Sequence, residues 1–251
     1  MRFFILCLSI LLLFSTESNA QSVDEKPLEI IMPPHHIKKW KISMERADGS
    51  YQQTLQEFNK SPEDLKNNIL RLRGIYPRTS RYAPFAKQVI DKLVGYAYIV
   101  DTSKDSLELN TALDDYRTLL DYHITNLDVL DLAITMARIN IQFGDEQYFQ
   151  TIKDGITAYI TKRGKNGLTP DSAYKVLTYG EETYLLALTG GTIKKSLLYD
   201  VNGRYFNVHD IELPDGSPTQ IYVDVTTPIV NVFYTQKTME KNAPLNTRQW
   251  Q

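Results

Sequence analysis

Serine, histidine and acidic side chains could carry hydrolytic chemistry in this chain, but their spacing forms no known motif. A hydrolytic triad needs a serine, a histidine and an acid brought together in space. The sequence contains no Gly-x-Ser-x-Gly phrase, which marks the nucleophile of many hydrolases. His209 and Asp210 are neighbours in a predicted strand, so their side chains point to opposite faces and cannot readily bond to each other. We therefore predict no catalytic residue.

Two other patterns resemble ligand sites only in part. His35 and His36 could each offer one metal ligand, but a metal site needs three or four converging ligands and none follows at suitable spacing. Residues 190–196 combine glycines, lysines and a serine, as phosphate loops do, yet no glycine stands directly before either lysine. His123 ends an apolar helical stripe and is interpreted as a histidine at the edge of the core. We expect neither a metal nor a cofactor.

Acidic residues cluster in the central block and again near residue 181. A glycosidase needs two acids that face each other across a cleft. Asp128 and Asp131 share a helix face at a predicted helix N-terminus, where the helix dipole favours acids. Glu181 and Glu182 lie in the first turn of another predicted helix, and the same explanation applies. The remaining acids of the central block are Asp114, Asp115 and Asp121.

The first 20 residues are predicted to be a signal peptide. Arg2 supplies the positive end, residues 3–14 are apolar except Ser9, and small residues precede a cleavage site near Ala20. The apolar stretch is too short to span a bilayer as a stable helix, although a short membrane anchor is the alternative interpretation. We therefore expect a secreted or periplasmic protein with no transmembrane segment in the mature chain.

Composition narrows the possible chemistry of the mature chain. Cys7 is the only cysteine and lies in the predicted signal peptide, so disulfides, thiolate nucleophiles and zinc–thiolate sites are excluded. A net charge of −2 gives no basic excess to neutralise phosphates, so we do not expect nucleic acid as a partner. A mature chain of this length can bury a core of its own without disulfides.

Helical periodicity dominates the first part of the mature chain. Residues 21–49 hold three prolines and no clear period, and they are predicted to be an extended leader. Residues 50–163 are predicted to be a helical repeat-like region with one mainly apolar helix, 128–143, in its middle. Predicted helix starts in this region are the Ser61-Pro62 cap, Pro84 and the Ser106 cap, and the last helix carries the stripe Phe149, Ile152, Ile156 and Ile160.

The period changes at the segment 162–173, which has two glycines and a proline and cannot extend the preceding helix. Residues 164–228 are predicted to form a small α+β module, packed as a cap on the open helical stripe. Asn202-Gly203 is a strong hairpin signal. The other expected elements are a strand at 173–177, a helix at 181–188, a strand at 220–225 and a polar tail at 229–251. The predicted fold class is α+β: antiparallel helix pairs, then a small antiparallel sheet with one short helix.

Two resemblances agree with this layout. The residues Tyr116, Asn126-Leu127-Asp128, Ala133, Ala137 and Phe143-Gly144-Asp145 are similar to the tetratricopeptide style, with small residues where helices touch and a glycine–aspartate closing the repeat. The segment from 162 to Thr226, with Arg81-Tyr82-Ala83-Pro84, resembles an uncharacterised secreted family best known from Bacteroidetes-type bacteria. Its marks here are the phrase 167–173 and the strand 221–226. The resemblance implies location and architecture, and no reaction.

Three hypotheses for the function follow. The first is an exported, non-catalytic protein that binds a protein or peptide of the cell envelope on its helical face. A structural envelope component is the second. The third is a hydrolase of envelope glycan or peptide, whose crevice between helices and sheet would hold converging acids or His209. The first hypothesis names four tyrosines as contacts: Tyr96, Tyr98, Tyr116 and Tyr122.

Overall fold

The structure, a computed structural model, describes residues 34–60, 65–162 and 166–232. The predicted signal peptide, the first part of the leader, the predicted cap at Ser61 and residues 163–165 lie outside the described residues. So does the predicted tail from residue 233 onwards, whereas residues 229–232 of that predicted tail are helical and Ile229 is buried. The described residues belong to one compact unit.

The described chain is α+β, as predicted: helices fill the first part and a four-stranded sheet follows. The helices are, in chain order, α1 Pro34–Lys60, α2 Leu65–Ile75, α3 Lys87–Thr102, α4 Ser106–Tyr122, α5 Leu127–Ile139, α6 Glu146–Lys162, α7 Tyr179–Leu188 and α8, which covers residues 226–232. Short 3₁₀ turns, Tyr76–Arg78 and Ile141–Phe143, follow α2 and α5. Successive helices pack as pairs: α1 with α2, α3 with α4, and α5 with α6.

Helix α5 lies at the centre of the helical part. The Asn126 side chain caps it by accepting hydrogen bonds from the backbone N–H groups of Asp128 and Val129. Most of its side chains are buried because α3, α6 and α7 all contact it, which confirms that this apolar helix is covered on more than one side. It is shorter than the predicted 128–143, because the extended backbone at Asn140 ends it and a 3₁₀ turn follows.

Three predicted helix starts need correction. Helix α3 begins at Lys87 and not at Pro84, because Ala86 is the residue that precedes its first turn. The leader was expected to be extended over 21–49, but α1 begins at Pro34. Proline fits the first helical turn, and the buried row Ala47, Tyr51 and Leu55 continues the helical period upstream of residue 50. The cap of α4 is Asp105 rather than Ser106, because Asp105 has the extended backbone and its carboxylate accepts from the N–H groups of the first turn.

The sheet has the order β1-β4-β3-β2. Its strands are β1 Tyr174–Lys175, β2 Thr192–Val201, β3 Arg204–Glu212 and β4 Pro218–Asp224. Strands β2 and β3 form the predicted hairpin, and Asn202 (φ 55°) and Gly203 (φ 77°) both take the left-handed conformation that its two-residue turn requires.

The prediction of a fully antiparallel sheet is wrong. Tyr174 of β1 pairs with Val223 of β4 in parallel, so the sheet is mixed. Strand β3 already occupies the other side of β4 in an antiparallel pairing. Strand β1 pairs with the open side of β4, and the chain between these two parallel strands runs through α7 and the β2–β3 hairpin.

Several contacts join the sheet module to the helices. The Tyr179 N–H donates to the Pro84 carbonyl at 3.1 Å, and the Tyr179 ring stacks on Phe85 with centroids 4.7 Å apart. The Tyr82 hydroxyl donates to the Leu177 carbonyl. All four residues of the predicted α6 stripe are buried, and α6 contacts α2, α5 and β1.

Candidate functional site

Strand β2 is an edge of the sheet. It pairs with β3 on one side, and within the described residues no strand pairs with its other side. The strand is ten residues long, and nearly every side chain on it is exposed, whereas most of β3 is buried. A long exposed edge presents unpaired backbone donors and acceptors to any extended chain that reaches it.

The hairpin turn fixes which backbone groups of β2 face outward. Val201 and Arg204 flank the two-residue turn, so they exchange both backbone hydrogen bonds. Hydrogen-bonded pairs alternate along an antiparallel ladder. The N–H and C=O groups of Ser196, Leu198 and Asp200 therefore point away from β3, towards the open side.

Apolar side chains follow the same edge. Four of them are between 42% and 52% exposed: Ile193, Leu198, Tyr199 and Val201. Leu197, Tyr199 and Val201 lie on one face of the strand because side chains alternate along it. The register shifts between Ile193 and Lys195, which limits the regular edge to residues from about 195 to 201.

A buried polar network lies directly behind the edge. The Ser196 hydroxyl and His209 Nδ1 are 2.8 Å apart, and His209 Nε2 is 2.8 Å from Glu182 Oε1. The Asn207 amide also donates to Glu182 Oε1, at 2.7 Å. His209 and Glu182 are buried, while Ser196 is exposed on β2. The network joins β2, β3 and α7.

These residue types are those of a hydrolytic triad, but their setting differs from a catalytic one. Acyl transfer also needs a binding cavity and donors for the developing oxyanion. Two cavities beside the sheet are lined by residues other than Ser196, His209 and Glu182. Both ring nitrogens of His209 have partners within the network, which links the β2–β3 hairpin to α7.

The crevice between the helices and the sheet does not have the lining that the hydrolase hypothesis requires. It has a volume of about 550 Å³. Among the described residues that line it there is neither a carboxylate nor His209, and its ionisable groups are the cations Arg73, Arg78 and Lys175, with Tyr159 beside them.

The four tyrosines proposed as contacts do not form a common surface. Tyr116 is fully buried against Phe143, with ring centroids 4.9 Å apart. The Arg81 guanidinium covers the Tyr122 ring at 3.5 Å. Tyr98 is about half exposed, and Tyr96 is partly buried. Tyr116 is therefore a core residue, and the helical face is not supported as the binding surface.

His123 is more deeply buried than its predicted place at the core edge. Its Nδ1 is 2.7 Å from the Tyr76 hydroxyl. Burial, and then the positive charges of Arg81 and Lys92, lower the pKa of His123 from 6.5 to about 4. His123 is therefore neutral at pH 7. His35 and His36 lie at the start of α1, where the structure does not describe side chains.

The acids at the helix starts have specific partners that the sequence did not reveal. Glu181 is paired with Arg73, and Glu182 belongs to the His209 network. Asp128 packs against Gly180 at the start of α7. Burial, and then the nearby Asp131 and Glu181, raise the pKa of Asp128 from 3.8 to about 6.

No similar protein guides the interpretation of this site. Family models, curated proteins and solved structures give no match to this chain. In the part of the chain that the structure describes, no helix has the length and apolar character to cross a membrane. Nor do the described ranges contain a group of three or more His, Cys, Asp or Glu residues arranged to hold a metal ion.

Proposed function

We propose that this is an exported, non-catalytic protein of the cell envelope that binds an extended segment of a partner protein by strand addition at β2. The observation that carries the proposal is the open edge, whose outward backbone groups belong to Ser196, Leu198 and Asp200. Strand addition takes affinity from main-chain hydrogen bonds and specificity from alternate side chains.

The side chains of the edge indicate the chemistry of the segment. Leu197, Tyr199 and Val201 form one row, and an apolar row on the partner strand would cover it. The opposite face is more polar, since it carries Ser196, Leu198 and Asp200. A partner strand with apolar side chains at alternate positions fits both faces.

The buried network supports the same function. The edge can bind another strand only if β2 itself is held in place, and Ser196 is tied through His209 to Glu182 on α7. Lys194 on β2 also forms an ion pair with Glu212 on β3, with Nζ and Oε2 3.0 Å apart. A rigid edge lowers the conformational entropy that binding costs.

Site-specific crosslinking identifies the partner and tests the edge. A photocrosslinking residue replaces Leu198 on β2 or, as a control, Leu107 on α4, which is 74% exposed. We expect one partner to be captured from intact cells through position 198 and not through position 107. Equal capture at both positions, or capture of a second copy of this chain alone, would contradict the proposal.

A matched pair of proline substitutions tests the main-chain contact with the captured partner. Leu198→Pro removes an outward N–H and should abolish binding while the melting temperature stays nearly unchanged, whereas Tyr199→Pro removes a bond to β3 and should unfold the hairpin. Hydrogen exchange should show new protection at Ser196, Leu198 and Asp200 in the complex. Unchanged exchange at these amides would mean that the partner binds elsewhere.

Export has its own test. The mature protein recovered from the periplasm or medium should begin near Gln21, as the predicted cleavage after Ala20 requires. Recovery of the chain only from the cytoplasm with Met1 retained would contradict export without affecting the strand-addition test.

A further inference from the structure

The crevice between the helices and the sheet has an unusual balance of charge. It is bounded by α2, the end of α6, β1 and α8. The chain as a whole has 30 acidic and 28 basic residues. Among the described residues that line the crevice, however, three are cations and none is acidic, so its positive character is local.

Two of the three cations have charge available for a ligand. Arg73 is neutralised by its ion pair with the buried Glu181. Among the described residues, Arg78 donates one hydrogen bond, to the Gly74 carbonyl at 3.3 Å, and its guanidinium has five N–H donors. Within the described ranges, neither Arg78 nor Lys175 forms an ion pair with a carboxylate.

The wall of the crevice is apolar beside these charges. Leu70, Ile160, Leu177 and Val230 supply hydrocarbon surface, and the hydroxyl-bearing Thr226 and Thr227 lie next to them. A volume of about 550 Å³ lies within the range of sites for small molecules, which combine mostly apolar walls with a few placed polar groups.

We propose that the crevice binds a small amphipathic anion. Its carboxylate or phosphate head lies between Arg78 and Lys175, and its short hydrocarbon body packs against Leu70 and Val230. Arginine and lysine both bind such heads through charge-assisted hydrogen bonds. The site is separate from the β2 edge, because the two share no residue.

Titration calorimetry with one hydrocarbon chain and four head groups tests the proposal. Octanoate and octyl phosphate should bind, and comparison of the two distinguishes a carboxylate site from a phosphate site. Octanol and octylamine should bind at least about ten-fold more weakly, because they offer no anionic acceptor. Equal binding of octanol, or of inorganic phosphate without a hydrocarbon chain, would overturn the amphipathic anion as the ligand.

Charge-removing substitutions locate the head group. Arg78→Gln and Lys175→Gln should each weaken binding of the preferred octyl anion by about ten-fold, and their effects should shrink at high salt. Lys87→Gln removes a well-exposed positive charge on α3 and serves as the matched control. All three variants should keep the melting temperature of the parent. Equal affinity of the parent and both crevice variants, or no binding of either anion, would overturn the proposal.

Discussion

The guanidinium of Arg73, on α2, makes a two-pronged ion pair with the carboxylate of Glu181, at the start of α7. The Nη2 to Oε2 distance is 2.8 Å, and the side chains are only 5% and 0% exposed. The backbone N–H of Leu177 donates to the same carboxylate at 2.7 Å. One buried carboxylate therefore joins the helical part to the segment that leads out of β1.

Removing one partner of this pair should destabilise the whole fold. Arg73→Met leaves Glu181 buried with an uncompensated charge, and we expect the free energy of unfolding to fall by about 3–5 kcal/mol in urea denaturation. Arg71→Met removes an exposed ion pair with Glu57 and should cost less than about 1 kcal/mol. A loss for Arg73→Met as small as that of Arg71→Met would show that the pair is not structural.

The close approach of Asp128 to Gly180 predicts that the cost of a substitution at position 180 depends on the side chain at position 128. A Cβ at position 180 would collide with the Asp128 carboxylate. Gly180→Ala should therefore lower the melting temperature, with a loss of about 1–3 kcal/mol in the free energy of unfolding. The same substitution in an Asp128→Ala background should cost much less, because the obstacle is gone. Equal costs in both backgrounds would rule out the collision as the cause.

Asp128 and His123 should make contributions of opposite sign to the pH dependence of stability over nearly the same pH window, so they largely offset each other in the parent protein. The pKa of Asp128 is raised from 3.8 to about 6, so the folded chain binds the extra proton and stability falls as pH rises through that window. The lowered pKa of His123, about 4, has the opposite sign: the unfolded chain binds the proton, and stability rises from pH 4 to 6.5.

Asp128→Asn isolates the first contribution. Its stability gain over the parent should be near zero at pH 4 and reach about 1–3 kcal/mol at pH 7, measured by urea denaturation at each pH. Asp114→Asn changes an exposed acid on α4 and should stay within about 0.5 kcal/mol of the parent throughout. A gain for Asp128→Asn that does not vary with pH would contradict the assignment.

The network behind β2 should be structural rather than catalytic. His209→Ala leaves the buried Glu182 with fewer partners and should cost about 2–3 kcal/mol, whereas Ser196→Ala should cost about 1 kcal/mol because Ser196 is exposed. Intact-mass measurement after treatment with a fluorophosphonate should show no adduct. An adduct that disappears in Ser196→Ala would restore the hydrolase hypothesis.

The cap prediction is tested by truncation. Residues 21–163 alone should aggregate or bind a hydrophobic dye, because α6 loses its contact with β1 and Arg73 loses its ion pair with Glu181. The full mature chain is the control. A fragment that stays soluble and monomeric without binding the dye would show that the module is not a cap.

Local signals in the sequence were sufficient for the elements that depend on near neighbours. The hairpin followed from Asn202-Gly203, since these residues accept the positive φ that its turn requires. Helix α5 followed from its apolar residues, and only its end was misplaced, where Asn140 adopts an extended backbone. The start of α1 was missed because prolines and a weak apolar period suggested an extended chain.

Relationships between distant residues could not be predicted in the same way. Strand β1 has only two residues, too few for a period, and its parallel partner lies in β4. The Ser196–His209–Glu182 network needs three elements to meet. Glu181 and Glu182 were explained by the helix dipole, which was sufficient for their position and gave no hint of their partners.

The Arg73–Glu181 pair also joins two residues that the ribosome makes at different times. The two residues are 108 positions apart, and at about 5–20 residues per second the ribosome needs about 5–20 seconds to pass from one to the other. During that interval α2 exists without the carboxylate that neutralises its arginine. The Arg73 guanidinium can therefore be neutralised in this way only after both halves of the chain have been made.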